Sequence, residues 1–354
     1  MTNSKHHINK NLFTLLLTLF LDFLGFGIVI PVIAPAMFDP VNGVLHGGYS
    51  MAERSVMLGF LISAFPVAQF FGAPILGAFS DKYGRKKILL ISILSTSVSL
   101  FLFGVGITLQ NLPILFFSRI LNGFMGGNVS TAQSAIADMS DLQSKSKNFG
   151  MMGMMFGLGF ILGPFVGGKL SDFHTVPWFT FATPFWVAGI LSIINVWLVA
   201  VWFKETLQHP KNNAEISFTT GIKNLARAFT SSGLRTIFIV SFLAIFGFTS
   251  FTQFFQVYLI SKFQFNQAHI GSTYAYLGLW IAIAQGGIIR VLAKKYSPET
   301  IIRFSTVVLS VAVFLLLVPG KEMYLFFILP FVAMAQGATT PNITTIISNS
   351  ARAD

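Results

Sequence analysis

The sequence predicts an all-α membrane protein made of helical bundles, and three observations carry that prediction. Only 10% of the 354 residues are charged while 54% are hydrophobic, with a mean hydropathy of +0.72; soluble domains carry about 25% charge. Apolar stretches of the roughly 20 residues that a helix needs to cross a bilayer follow one another along almost the whole chain. The Lys and Arg residues fall between these stretches and sort strongly to one side. A water-soluble globule is excluded. The net charge of +11 therefore belongs to membrane loops and not to nucleic-acid binding. Zero Cys residues exclude a disulfide framework, thiolate metal sites and cysteine nucleophiles.

Ten spans are expected, most of them flanked by charges. Span one, 12–37, follows Lys5 and Lys10; its apolar run is too long for the core of a cleavable signal and no small-residue cleavage site follows it. Span two, 56–80, lies between Arg54 and the basic group Lys82, Arg85, Lys86 and Lys87, which also opens span three, 88–109. Span four, 112–138, and span five, 149–170, are separated by Lys145 and Lys147, and span six, 181–203, ends at Lys204. Spans seven to ten, 236–261, 269–293, 301–318 and 323–349, alternate with Lys262, with Lys294, Lys295 and Arg303, and with Lys321. With the N-terminus inside, 17 basic residues fall on the cytoplasmic side and 4 outside, leaving Arg119 and Arg290 within spans. The positive-inside rule then orients the chain.

The longest polar stretch holds Pro210, Asn212 and Asn213 and reads as a linker. The expected division is an N-terminal six-helix bundle over 1–203, a cytoplasmic linker over 204–233, and a C-terminal bundle of four helices over 234–354. An internal repeat supports it. A shift of 214 residues lays Asn122-Gly123, Asn128, Thr131 and Ser134 on Gln336-Gly337, Asn342, Thr345 and Ser348, and a shift of 213 lays Lys82-Tyr83 on Lys295-Tyr296. The shared register, more than any single match, argues for parallel repeats of the kind that rock around a midplane site.

The loop after span two reads Gly77-Ala-Phe-Ser-Asp81-Lys-Tyr-Gly84-Arg85-Lys86-Lys87. Gly84 permits a tight turn, Asp81 can accept from helix N-termini or from Arg, and the basic triplet anchors the inner face. Span one carries Asp22-Phe-Leu-Gly25-Phe-Gly27-Ile-Val-Ile-Pro31, span four Arg119-Ile-Leu-Asn122-Gly123-Phe-Met-Gly126-Gly127, and span five Gly159-Phe-Ile-Leu-Gly163-Pro164-Phe-Val-Gly167-Gly168. Together these resemble the major facilitator superfamily, and within it the drug:proton antiporter branch of tetracycline-type exporters. The resemblance implies a gating role for the loop of Gly77, Asp81, Gly84, Arg85 and Lys86, and the pattern of span five is associated with exporters. It also implies twelve helices: by the repeat register, counterparts of spans five and six would occupy 360–420, so the last two helices are expected to be lacking. In that family the Asp81 loop engages the eleventh helix. The subgroup has acidic residues in helices three and nine where this sequence has Ser99 and Val308, a departure that puts tetracycline itself in doubt as a substrate.

The chemistry of these residues can be read without the family. Gly159, Gly163 and Gly167 share a helical face on which another backbone can approach, and Pro164 removes a hydrogen bond. Such a face can seal a pathway or simply pack. Asp22 lies about 15 Å into span one at a rise of about 1.5 Å per residue, where an ionised carboxylate is expensive unless paired or hydrated. It is read either as a proton carrier in a wet cavity or as a brace beside the Gly25 and Gly27 kink. Arg119 either answers the charge on Asp22 or snorkels to an interface. Asp138, at the end of span four, reads as an inner-gate or capping residue.

Among the polar residues expected to face a substrate are Asn122, Gln253, Gln256, Gln285, Gln336 and Asn342. Gln253 and Gln256 share a face amid several Phe residues and suit an aromatic, hydrogen-bonding ligand; interhelical amide bonding is the alternative for each. No nucleotide loop, metal-ligand cluster or catalytic constellation occurs in the sequence. The expectation is a non-enzymatic secondary transporter in a bacterial inner membrane. It would use no cofactor, draw on the proton gradient, and have a small-molecule substrate, protons and the lipid bilayer as partners, with no nucleic acid. Export of small amphipathic compounds by alternating access is the leading reading. Uptake of a metabolite or siderophore by symport, and a truncated inactive or regulatory membrane protein, are the alternatives.

Overall fold

A computed structural model describes residues 2–45, 48–140, 144–207, 226, 235–292, 294–318 and 320–350. Most of the expected linker, 208–225 and 227–233, lies outside the described residues, as do the side chains of Arg290 and Ser348. The helices are α1 (Thr2–Phe38), α2 (Met51–Tyr83), α3 (Arg85–Thr108), α4 (Leu112–Met125), α5 (Asn128–Asp138), α6 (Lys145–Leu170) and α7 (Thr183–Trp202), followed by α8 (Arg235–Phe263), α9 (Gln267–Ile283), a π segment (Ala284–Ile288), α10 (Ile289–Leu292), α11 (Pro298–Leu315) and α12 (Met323–Ser350). No strand occurs among the described residues.

Eight of these helices are individually long and apolar enough to cross a membrane, fewer than the ten expected spans. Two interruptions account for the difference. Expected span four is split at Gly126 and Gly127 into helices of 14 and 11 residues. Expected span eight runs as the 17-residue α9 and then widens into the π segment. Helix starts follow ordinary capping rules. Ser50 and Glu53 form a reciprocal capping box on α2, and Asn111 accepts from the Ile114 N–H at the start of α4.

The chain forms two compact units, one comprising Met1–Gly221 with Asn266–Gly271, the other Ile222–Phe265 with Ser272–Asp354. Unit 1 is built around buried Leu15, Leu19, Leu89, Ile93, Ala135, Val199 and Phe203, drawn from α1, α3, α5, α7 and the residue after α7. Polar bonds between helices supplement this packing, because apolar contact alone gives little driving force between helices in lipid. Thr18 Oγ1 donates to Asn195 Oδ1 at 3.0 Å, and Ser97 Oγ to the Gly189 carbonyl at 2.9 Å. Arg54, which the sequence suggests only as an outer-loop charge, is 7% exposed. Its Nη1 donates to the Met37 carbonyl at 3.0 Å and its Nε to the Tyr49 carbonyl at 3.2 Å, a cation placed at the C-terminal end of α1.

In unit 2, α8 carries an aromatic ladder in which Phe251 and Phe255 pack at a 4.8 Å centroid distance and Phe255 meets Tyr274 of α9 edge-on at 5.9 Å. The repeated glycines occupy similar packing positions. A Cβ on Gly123 would strike the Phe65 carbonyl of α2, and one on Gly337 would lie 3.0 Å from Ala284 Cβ and 3.3 Å from the Ile281 carbonyl. The repeats diverge where α4 breaks, since α12 continues unbroken past the matching Thr340 and Pro341.

Candidate functional site

Unit 1 encloses a cavity of about 230 Å³ whose walls include Asp22, Gln69, Arg119, Asn122, Asn128 and Asn195. The local structure that aims these groups begins with the break between α4 and α5. Gly126 and Gly127 lie between the two helices, and Gln69 Nε2 of α2 donates to the Gly126 carbonyl at 3.1 Å. A Cβ on Gly127 would lie 2.9 Å from Leu76 Cβ, so the turn sits hard against α2. The break makes Asn128 the first residue of α5, and its Nδ2 donates to Asp22 Oδ2 at 2.6 Å. Asp22 is thus half-buried and held by one amide across the cavity. The sequence marks Asn128 only as one more intramembrane amide; the Gly-Gly pair immediately before it was the available signal of a re-aimed side chain.

Arg119 lies in the same cavity wall and is 6% exposed. Its guanidinium carbon stands 5.1 Å from the Phe65 ring centroid and 5.9 Å from that of Phe103. Asp22 and Arg119 share the cavity without forming an ion pair: among the described residues, the salt bridges that involve Arg85 are those to Asp81 and Asp138, and Arg119 has no carboxylate partner. Ser99, the position where the resemblance calls for an acid, is buried, and its Oγ donates to the Thr96 carbonyl at 2.7 Å.

The loop between α2 and α3 forms a second cluster. Gly84 has φ +99°, a conformation that favours glycine. Arg85 Nη1 contacts Asp81 Oδ1 at 2.5 Å and its Nε contacts Asp138 Oδ2 at 3.1 Å, so one guanidinium joins the ends of α2 and α5. Glu205, not singled out in the sequence, accepts from the backbone N–H of Arg85 at 2.9 Å and of Lys86 at 3.0 Å. It caps the N-terminus of α3, where a carboxylate meets unpaired N–H groups and the positive end of the helix dipole. Lys86 Nζ donates to the Ala200 carbonyl at the end of α7. Asn11 exchanges two hydrogen bonds with the Lys204 backbone, at 3.1 and 2.9 Å. Gly77 has no close neighbour on its Cβ side.

The glycines of expected span five lie along α1. A Cβ at Gly159 would stand 2.6 Å from Phe23 Cβ, at Gly163 2.7 Å from the Leu24 carbonyl, and at Gly167 2.5 Å from the Ile28 carbonyl. A Cβ on Gly27 would in turn meet Pro164 Cδ at 2.9 Å. Gly168 turns to the 266–271 segment of the same unit, where its Cβ would lie 2.5 Å from the Gln267 carbonyl.

Of the expected substrate-facing residues, Asn122 lines the cavity. Gln253, Gln256, Gln285, Gln336 and Asn342 belong to unit 2 and are not among its lining. Gln256 Nε2 donates to the Gln253 carbonyl at 3.1 Å, Gln336 Nε2 to Thr340 Oγ1 at 3.1 Å and Asn342 Nδ2 to the Ala338 carbonyl at 2.8 Å. Gln285 is exposed within the π segment. No group of three or more His, Asp or Glu suited to a metal occurs among the described residues.

Helices of membrane-spanning length, with one carboxylate and one guanidinium in a cavity of unit 1, suit a multi-pass membrane transporter. Residues 15–354 match the family model of the Major Facilitator Superfamily, and the chain belongs to that family. It is a transporter, not an enzyme. Multidrug resistance protein 1 of Bacillus subtilis (strain 168) is 30% identical over 345 residues, covering 97% of this chain and 82% of that protein. The quinolone resistance protein NorA of Staphylococcus aureus (strain COL) is 30% identical over 346 residues, covering 97% and 83%. Solved structures share the fold: the human organic anion transporter MFSD10 has a TM-score of 0.71 at 22% identity, covering 96% of this chain and 86% of its own. A nucleoside transporter, NupG, has a TM-score of 0.69 at 16% identity, covering 94% and 80%.

Proposed function

We propose that this chain is a proton-driven exporter of small amphipathic compounds, seated in a bacterial inner membrane with its N-terminus and the Asp81 loop in the cytoplasm. The observation that carries the reading is Asp22, a carboxylate in the middle of a membrane helix that lines a cavity and is held by a single amide. A group so placed can take a proton from one side and release it to the other as the cavity changes access. The names of the multidrug and quinolone resistance relatives support drug-like cargo, and the 17-to-4 division of basic residues supports the orientation.

In this reading Asp22 carries the proton and Arg119 is the fixed charge that senses its ionisation. The α1–α6 glycine seam holds a wall of the cavity rigid, and the amides Gln253, Gln256, Gln285, Gln336 and Asn342 bind substrate. The Asp81, Arg85 and Asp138 cluster is the cytoplasmic gate. Everted membrane vesicles test the function: an imposed proton gradient, acid inside, should drive uptake of an amphipathic dye, and dissipating the gradient should release it. Dye movement indifferent to the gradient overturns proton coupling.

The gate gives a graded expectation. Asp81→Asn leaves Arg85 its Asp138 partner, so turnover should slow moderately, while Arg85→Gln leaves two carboxylates facing each other and should slow it more. Membrane insertion should be unchanged in both, since the apolar spans direct it. Initial efflux rates normalised to the inserted protein measure this, and equal turnover in all three forms would reduce the loop to a topology signal.

A further inference from the structure

In unit 2, α9 changes its backbone bonding at the point where its neighbours stop holding it. Up to Ala284 the helix is fastened on two sides. The Tyr274 hydroxyl donates to the Thr252 carbonyl of α8 and the Tyr276 hydroxyl to the Phe326 carbonyl of α12 at 3.0 Å. Ala284 itself is fully buried and lies against Gly337 of α12. Residues 285–288, about a full turn, are then all exposed, so the helix leaves the packed body of the unit there. Of the described residues 285–292 and 294–296, none has a hydrogen bond, ion pair or ring contact with another helix. This end closes only on itself, the Lys295 and Tyr296 N–H groups each donating to the Leu292 carbonyl at 2.9 Å.

The π segment Ala284–Ile288 joins the held arm to the free one, and it contains Gly286 and Gly287. Two adjacent glycines are costly inside a helix, and neither of the usual structural reasons for them applies. A Cβ at either position would meet nothing within 4 Å, so no neighbour demands a missing side chain. Neither has the positive φ found at Gly48 and Gly84. What the pair does provide is a place to bend, since widened π turns and glycine pairs are where helices kink. With no neighbour against the pair, a change of angle there requires no side chain to repack.

We propose that Gly286 and Gly287 form a hinge in α9, about which α10 and the basic turn at Lys294 and Lys295 swing while the rest of α9 stays fixed to α8 and α12. That the swing is a step of the export cycle rests on the exporter reading. The chain has no Cys, so spin labels can be placed singly on the whole chain in lipid nanodiscs. Met323→Cys paired with Lys295→Cys spans the hinge, and Met323→Cys paired with Leu279→Cys stops short of it; all three positions are exposed. Distances between the labels should fall into two populations for the first pair and one for the second. Alanine favours the regular helix by about fivefold per glycine replaced. Gly286→Ala combined with Gly287→Ala should therefore merge the two populations into one and slow dye flux in vesicles about tenfold. It should also raise the midpoint of thermal unfolding by about 2–4 °C. A merely structural role would move stability and turnover in the same direction. A single population for the first pair with both glycines in place, or full turnover in the double alanine variant, overturns the proposal. Should the double variant fail to insert, Gly286→Ala alone and the distances in the glycine-containing chain still decide. The distances are measured without a gradient, so two populations in a protein that shows no gradient-driven flux would refute the exporter reading and leave the hinge standing.

Discussion

Asp22→Asn is expected to abolish gradient-driven accumulation while leaving substrate binding in place. The substitution keeps the size of the side chain, and the Asn oxygen can still accept from Asn128 Nδ2, which stands at 2.6 Å in the native protein. Only the exchangeable proton is removed. A gradient of one pH unit supplies about 1.4 kcal/mol per proton, enough for about tenfold accumulation, so the accumulation ratio per imposed pH unit should fall from about ten to about one. Downhill exchange should continue. Asp22→Leu provides the contrast, because it strands the Asn128 amide without its acceptor, a loss of about 1–3 kcal/mol, and should lower thermal stability as well as transport. The measurement is dye flux in vesicles with an imposed gradient, set beside binding without one. Full gradient-driven flux in Asp22→Asn would make the carboxylate a brace for α1 and move coupling elsewhere.

The parts of this molecule that were legible in the sequence are those written in local chemistry. Charge and hydropathy mark the membrane helices and the basic turn at Gly84 because each depends on a few neighbouring residues. Asp22 stands out because a carboxylate amid apolar residues is expensive wherever the helix packs. Its partner is another matter: Asn128 reaches Asp22 across 106 residues, and only the break at Gly126 and Gly127 re-aims it. The same holds for Glu205, which caps α3 from 119 and 120 residues away and reads in the sequence as the start of a linker. The ten expected spans exceed the eight individually membrane-length helices for the same reason, since an apolar run such as 112–138 does not reveal that a neighbouring glutamine will bond to its backbone at a break. Hydropathy reports what lies in lipid, and interruptions satisfied by protein partners leave no trace in it.

The glycine seam offers the largest expected effect on stability. Gly163 sits where a Cβ would be 2.7 Å from the Leu24 carbonyl and 2.8 Å from Gly27 Cα, so the obstacle is backbone and no side chain can swing aside. Gly163→Ala should therefore destabilise unit 1 by about 1–3 kcal/mol, the range for overpacking a close contact, and Gly163→Val by more. The damage should extend to function, because the stretch of α1 that must retreat, Phe23 to Gly27, begins one residue after Asp22. The control lies in the same helix. Gly153 has nothing within 4 Å of its Cβ position, and replacing a helical glycine there relieves part of an intrinsic penalty of about 0.5–1 kcal/mol relative to Ala, less of it for β-branched Val. Gly153→Val should thus leave the midpoint of thermal unfolding unchanged or raise it. Because both variants add the same side chain to α6, any difference between them reports the α1 contact and not helix propensity or hydrophobicity. Unfolding followed in nanodiscs, together with the vesicle flux assay, gives both readouts. If Gly163→Val unfolds at the same temperature as Gly153→Val and still accumulates dye, α1 and α6 do not meet backbone to backbone, and the motif of expected span five must act by some means other than close packing.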